Sequence, residues 1–146
     1  MPLDPSFAGR SYPPTPPARV GREKIREFAD AIGAPDAAHR DPAAARALGH
    51  PDVVAPPTFP VALTLPAGQA IIEALGIDYA RVVHGDQRFA YTRPVVAGDE
   101  LICVCTVEEI MSRGGHDFVT TRTDVTDTAG APVASVWTRL VVRGDG

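Results

Sequence analysis

The order of apolar and polar positions divides the chain into a helical front and a stranded back. From Gly21 to Gly33, the residues Ile25, Phe28, Ala29 and Ile32 recur at the spacing of one helix face, and Gly33 is a natural stop. Residues 42–48, P-A-A-A-R-A-L, predict a second, short helix. Asp41 is its cap, Pro42 takes its first position and Gly49 follows its end. Residues 58–75 predict a third helix, capped by Thr58 and kinked or restarted at Pro66. Its Val61, Leu65, Ala70, Ile71, Ile72 and Leu75 spread round most of the cylinder, so this helix needs cover on more than one side.

From residue 80 the period changes to two. Segments 81–92, 101–111, 118–126 and 133–142 read as strands, and Phe89 and Tyr91 fall on one face of the first. The links Val96–Asp99, Arg113–Gly115 and Asp127–Gly130 are short and turn-like, with Gly98-Asp99 read as a simple turn. Short links imply antiparallel neighbours. The order is α+β: short helices, one apolar helix, then long antiparallel strands. A sheet wrapped around a single central helix, the hot-dog fold, fits it. Such a sheet alone leaves edges and a face open, so pairing with a second unit is expected. Residues 1–18, with prolines at 2, 5, 13, 14, 16 and 17, resist helix and predict a surface arm pinned by Phe7 and Tyr12. Residues 19–146 then form the domain.

At 146 residues with 45% hydrophobic and 22% charged content, the chain is long enough to bury a core of its own. A net charge of -4 weighs against nucleic acid as a partner, since phosphate binding rests on Lys and Arg. No apolar run spans a bilayer, and the first residues lack a basic-then-apolar order, so a cytoplasmic location is expected. Cys103 and Cys105 share a strand face and read as core residues. His50, His84 and His116 lack metal-ligand spacing, and no metal or cofactor is expected. Patterns for serine hydrolases, phosphate loops and zinc proteases are absent. The basic residues Arg19, Arg22, Lys24 and Arg26, with Arg81, Arg88 and Arg93 further on, read as a solvated surface that would also suit an acidic carrier or a coenzyme phosphate.

One stretch carries candidate chemistry. Residues 32–50 read I-G-A-P-D-A-A-H-R-D-P-A-A-A-R-A-L-G-H, followed by V-V-A-P-P at 53–57; residues 86–101 read D-Q-R-F-A-Y-T-R-P-V-V-A-G-D-E-L. Together they resemble the MaoC-type (R)-hydratase and dehydratase family over nearly the whole chain. The likeness extends to the A and C subunits of actinobacterial (3R)-hydroxyacyl-carrier-protein dehydratases, which pair with a catalytic MaoC-type subunit. The resemblance implies an acid–base pair of His and Asp holding a water. His39 falls on the His position, Ala34 on the Asp position, and Asp36 two residues on is the candidate replacement. It also implies a backbone N–H donor at the start of the central helix. Pro57 stands there and has none, leaving Thr58 or Phe59 as possible donors.

Thr58, Phe59, Phe89 and Tyr91 are thus the expected substrate-binding residues, with acyl carrier protein or coenzyme A thioesters as ligands. The expected partner is a second copy or a catalytic MaoC-type subunit. The leading expectation is an acyl-binding subunit of a hydroxyacyl-thioester dehydratase or hydratase that adds little chemistry alone. Three alternatives stand beside it: a self-sufficient hydratase using His39 and Asp36, a thioesterase using Glu73, and a binding module without catalysis.

Overall fold

The computed structural model describes residues 3–144; residues 1–2 of the arm and 145–146 of the domain lie outside the described residues. The back half of the chain and one short strand from the front form one antiparallel sheet. Strand β1 is Ala18–Arg19, β2 Val82–Tyr91, β3 Glu100–Arg113, β4 His116–Asp127 and β5 Pro132–Val142. Their order is β1-β3-β4-β5-β2. Each long strand follows the segment that alternation predicts, and β3 and β4 bury every second residue along most of their length. Register brings Cys103, Val125 and Ala134 into one row, and Cys105, Thr123 and Val136 into the next. All six are buried. Phe89 and Tyr91 join these two rows from β2, opposite Val136 and Ala134.

The helices lie against that inner face. Helix α1 is Arg22–Ala31, α2 Pro42–Ala47 and α3 Val61–Ala74. Helix α1 buries Ile25 and Ala29. It stops earlier than its apolar spacing predicts, because Gly33 turns the chain at φ +70 and the Ala34 amide returns to the Ala29 carbonyl. Ile32 is therefore half exposed rather than part of the buried stripe. Helix α2 is capped as its sequence predicts: the Asp41 carboxylate accepts from the Ala43 amide at 3.0 Å.

Helix α3 corrects two expectations. It begins at Val61, and no side chain caps it; Thr58 sits before it in an exposed turn, where its carbonyl accepts from the Val61 amide. The cause is the Pro56-Pro57 pair, which closes a separate turn with the Phe59 amide bonded to the Pro56 carbonyl at 2.9 Å. Pro66 lies inside a single continuous helix, with no restart. Within this chain the sheet covers only the side bearing Thr64, Ala67 and Ile71, and Leu65 remains 52% exposed.

The main core joins Val20, Ile25, Val53, Phe59, Val95, Leu101, Cys103 and Val136. Phe59 is 1% exposed and meets Phe28 edge to face, with ring centroids 5.5 Å apart. A second cluster, Ile71, Cys105, Val107 and Val119, is covered by Tyr12 of the arm. The arm runs along the outer edge of β3: Gly9 and Tyr12 donate to the carbonyls of Val107 and Cys105, and the Ser11 and Thr106 hydroxyls meet at 2.7 Å. Phe7 sits under the Arg10 guanidinium instead of in a core cluster. Burial pushes the Cys103 thiol up to about 11, in keeping with an apolar setting. Among the described residues no helix is long and apolar enough to cross a membrane.

Truncating Phe59 removes the largest fully buried side chain of the main core. Phe59→Ala is expected to lower the unfolding free energy by about 3–5 kcal/mol in a denaturant titration. A loss below about 1 kcal/mol would contradict this placement of the ring.

Candidate functional site

Three backbone segments meet above the start of α3. The first is a 3-10 turn, Ala37–His39, capped by Asp36, whose carboxylate accepts from the Ala38 amide at 2.9 Å. The second is the buried run Val53–Ala55. The third is the chain after β2, up to Ala97. The Val54 amide donates to the Ala38 carbonyl, the Ala55 amide to the Val95 carbonyl and the Ala97 amide to the Val53 carbonyl, at 2.8–3.1 Å. Apolar residues fill the run because its backbone is satisfied on both sides and its side chains face the core.

Between these segments opens a cleft of about 540 Å³, lined by Asp36, His39, Val54, Ala55, Pro57, Tyr91 and the stretch 92–95. His39 is held by its ring: Nδ1 lies 2.7 Å from the Val54 carbonyl oxygen. A carbonyl only accepts, so Nδ1 carries the proton. The neutral ring therefore presents an unprotonated Nε2, the form a general base needs. Tyr91 reaches across from the end of β2, and its hydroxyl donates to the Pro57 carbonyl. The apolar walls push the Tyr91 phenol up to about 12.

The structure brings Asp36, His39 and Tyr91 into one cleft, but Asp36 and His39 make no hydrogen bond with each other. Asp36 is exposed and holds the turn. Ala34 has no polar side chain, and its carbonyl instead accepts from Arg40 at 2.7 Å. Phe59 is buried in the main core, and Phe89 packs against the same core two residues along β2 from Tyr91. Thr58 is exposed and does not line the cleft. The Phe59 amide is already bonded to the Pro56 carbonyl and is not a free donor. Glu73 lies exposed on α3 near Gln69, away from the cleft. Among the described residues no group of His, Cys, Asp or Glu is placed to hold a metal ion.

Two arginines shape the site: Arg40, to which the sequence pattern assigns no role, and Arg93, which it places on a solvated surface. Arg40 donates to the carbonyls of Ala34 and Asp36 while paired with Asp30 on α1, so it fastens the His39 turn to the body. Arg93 lines the cleft and forms a two-pronged pair with Asp99 at 2.9 and 3.1 Å. Asp99 also accepts from the Val96 amide, so Gly98-Asp99 is more than a turn. Gly98 sits at φ +96, a conformation that favours glycine. Asp52, just before the buried run, pairs with Arg22, which holds its carboxyl down at about 2.

The His39 tautomer is directly measurable. Above neutral pH, a long-range 1H–15N spectrum is expected to show a protonated Nδ1 and a bare Nε2; the opposite pattern would contradict the Val54 contact.

The sequence and the fold have counterparts in known proteins. The family model described as the FAS1-like, dehydratase domain region matches residues 6–136. A UPF0336 protein of Saccharopolyspora erythraea is 56% identical over 146 residues, spanning 99% of this chain and 94% of its own. One from Streptomyces avermitilis is 57% identical over 145 residues, spanning 98% and 97%. Among solved structures, a MaoC-like dehydratase superposes with a TM-score of 0.89 at 34% identity; it matches 95% of this chain, which spans only 43% of that protein. The truncated HadBC (3R-hydroxyacyl-ACP dehydratase) complex of Mycobacterium tuberculosis gives a TM-score of 0.85 at 32% identity, with 97% and 99% covered. On the family match and these identities, the chain belongs to the FAS1-like dehydratase-domain family, as a MaoC-like hot-dog domain.

Proposed function

We propose that the chain is a subunit of a (3R)-hydroxyacyl-thioester dehydratase or hydratase. It holds the acyl thioester of coenzyme A or of an acyl carrier protein and works beside a catalytic hot-dog partner in the cytoplasm. The observation that carries this reading is the composition of the cleft. It offers a bare His39 Nε2, but no carboxylate reaches the ring and Pro57 supplies no amide. Dehydration removes a proton beside the thioester carbonyl and releases the β-hydroxyl as water. It needs a base, a group to pass a proton to the leaving oxygen, and a donor for the charge on the carbonyl oxygen. His39 supplies one of these positions.

Two surfaces support a partner. Among the described residues strand β2 pairs only with β5, so its other edge is open along its length. Beside it, Leu65, Tyr79 and Val83 are 52%, 63% and 45% exposed. A second hot-dog unit laid along β2 would cover both the strand edge and the bare side of α3. The opposite edge, on β3, is already occupied by the arm and β1. The arm and the domain act in this reading as one unit.

The test is hydration of crotonyl-CoA, followed as loss of enoyl absorbance. The purified chain alone is expected to turn over slowly, with rates at least about 100-fold below those of a complex with a MaoC-type partner, since losing one positioned acid–base group, here the carboxylate beside His39, costs about that much. Fast turnover by the chain alone that survives His39→Ala would overturn both the subunit reading and the role of His39. Fast turnover that His39→Ala abolishes would establish a self-sufficient homodimer instead.

A further inference from the structure

We infer that the Tyr91 hydroxyl is the group in this cleft that recognises the thioester carbonyl, taking the place of the backbone amide that Pro57 cannot supply. The inference rests on the acyl-thioester reading of the cleft. Its basis is the position of the Tyr91 hydroxyl, bonded to the Pro57 carbonyl in the wall of the cleft.

The cleft's polar side chains are Asp36, His39, Tyr91, Thr92 and Arg93. The Asp36 carboxylate is an acceptor held by the Ala38 amide. The Nδ1–H of His39 is directed at the Val54 carbonyl, and its Nε2 is an acceptor while the ring is neutral. The Arg93 guanidinium is bonded to both Asp99 oxygens and to the Pro94 carbonyl. The Tyr91 hydroxyl donates to the carbonyl of Pro57, the very residue whose missing N–H leaves the gap. Its proton thus already serves a carbonyl oxygen at the cleft wall.

The exchange is cheap. Pro57 is exposed, so water replaces the phenol on its carbonyl when the hydroxyl turns to a ligand. The strand end that carries Tyr91 is fixed: the amides of Thr92 and Arg93 both reach the Val133 carbonyl, at 2.8 and 3.3 Å. The raised phenol keeps its proton throughout the neutral range, so the donor is always charged with hydrogen and never anionic.

Binding of crotonyl-CoA and of its S-butyl thioether analogue, which lacks the carbonyl, separates this role from plain packing. Both are titrated by calorimetry into the full wild-type chain, Tyr91→Phe and Thr92→Val. The expected result is a three- to tenfold, roughly one hydrogen bond's worth, weaker crotonyl-CoA affinity in Tyr91→Phe alone, with the thioether unaffected. The infrared carbonyl band of bound, carbonyl-labelled crotonyl-CoA is expected at lower frequency in wild type than in Tyr91→Phe. Equal affinities and equal bands in the two proteins would overturn the role of Tyr91 while leaving the cleft's ligand intact. A loss in Thr92→Val instead would move the role to that hydroxyl. Failure of the wild-type chain to bind either ligand would overturn the acyl-thioester reading itself, and this inference with it.

Discussion

Three residues, Val53 to Ala55, are hydrogen-bonded on both flanks, and the site hangs on them. On one side Val54 bonds the turn that carries His39; on the other, Ala55 and the Val53 carbonyl bond the chain leaving β2. Each bond is an ordinary backbone bond of modest net worth, but each leaves a buried polar group unsatisfied if broken. Two independent pieces of chain, 36–39 and 91–97, are thereby held at a fixed spacing. The Val54 carbonyl then serves a second purpose by fixing which nitrogen of His39 bears the proton. A site built on such a run needs few residues of its own, because the core beneath it supplies the rigidity.

The same economy explains the shape of the whole molecule. The sheet curls over one side of α3 and leaves the other bare, so the apolar content of that helix exceeds what this chain can bury. The two sheet edges are treated differently. A proline-rich arm, unsuited to donating a full ladder of bonds, lies along β3 and closes it. Among the described residues strand β2 has no such cover, and its first residue, Val82, lines one pocket with Leu65 and Ile72 of α3. Tyr91 stands at the end of that open strand, so the cleft and the uncovered edge are neighbours in the fold. Ligand and partner would thus act on adjoining structure.

Much of this was legible in the residues. Alternation located the long strands, most clearly β3 and β4 with their regularly spaced buried residues, and Asp41-Pro42 marked α2 because capping is a local interaction. The faults arose where tertiary geometry overruled local pattern. Ile32 carries the helical spacing but is the C-cap, where the left-handed Gly33 already turns the chain away. Thr58 has the composition of a cap, yet the two prolines before it close a different turn. Phe59 is apolar and near the cleft in sequence, and its ring turns into the core. Family resemblance pointed to Ala34 and Pro57 as departures, but not to what fills the gaps. Arg40 and Arg93 were invisible as site residues because their acidic partners are matched by folding, not by helical or strand spacing. The bond from Tyr91 to Pro57 joins residues 34 positions apart and leaves no mark in a linear pattern.

The central claim is that an acyl thioester enters the cleft above Val54. Chemical-shift mapping of the isotopically labelled chain during a crotonyl-CoA titration tests it most directly. The account predicts perturbations concentrated at residues 36–39, 53–57 and 91–95, with the indole of Trp137, which lies on the opposite, outer face of the sheet, unmoved. Saturable shifts around Trp137 with a silent His39 turn would contradict it.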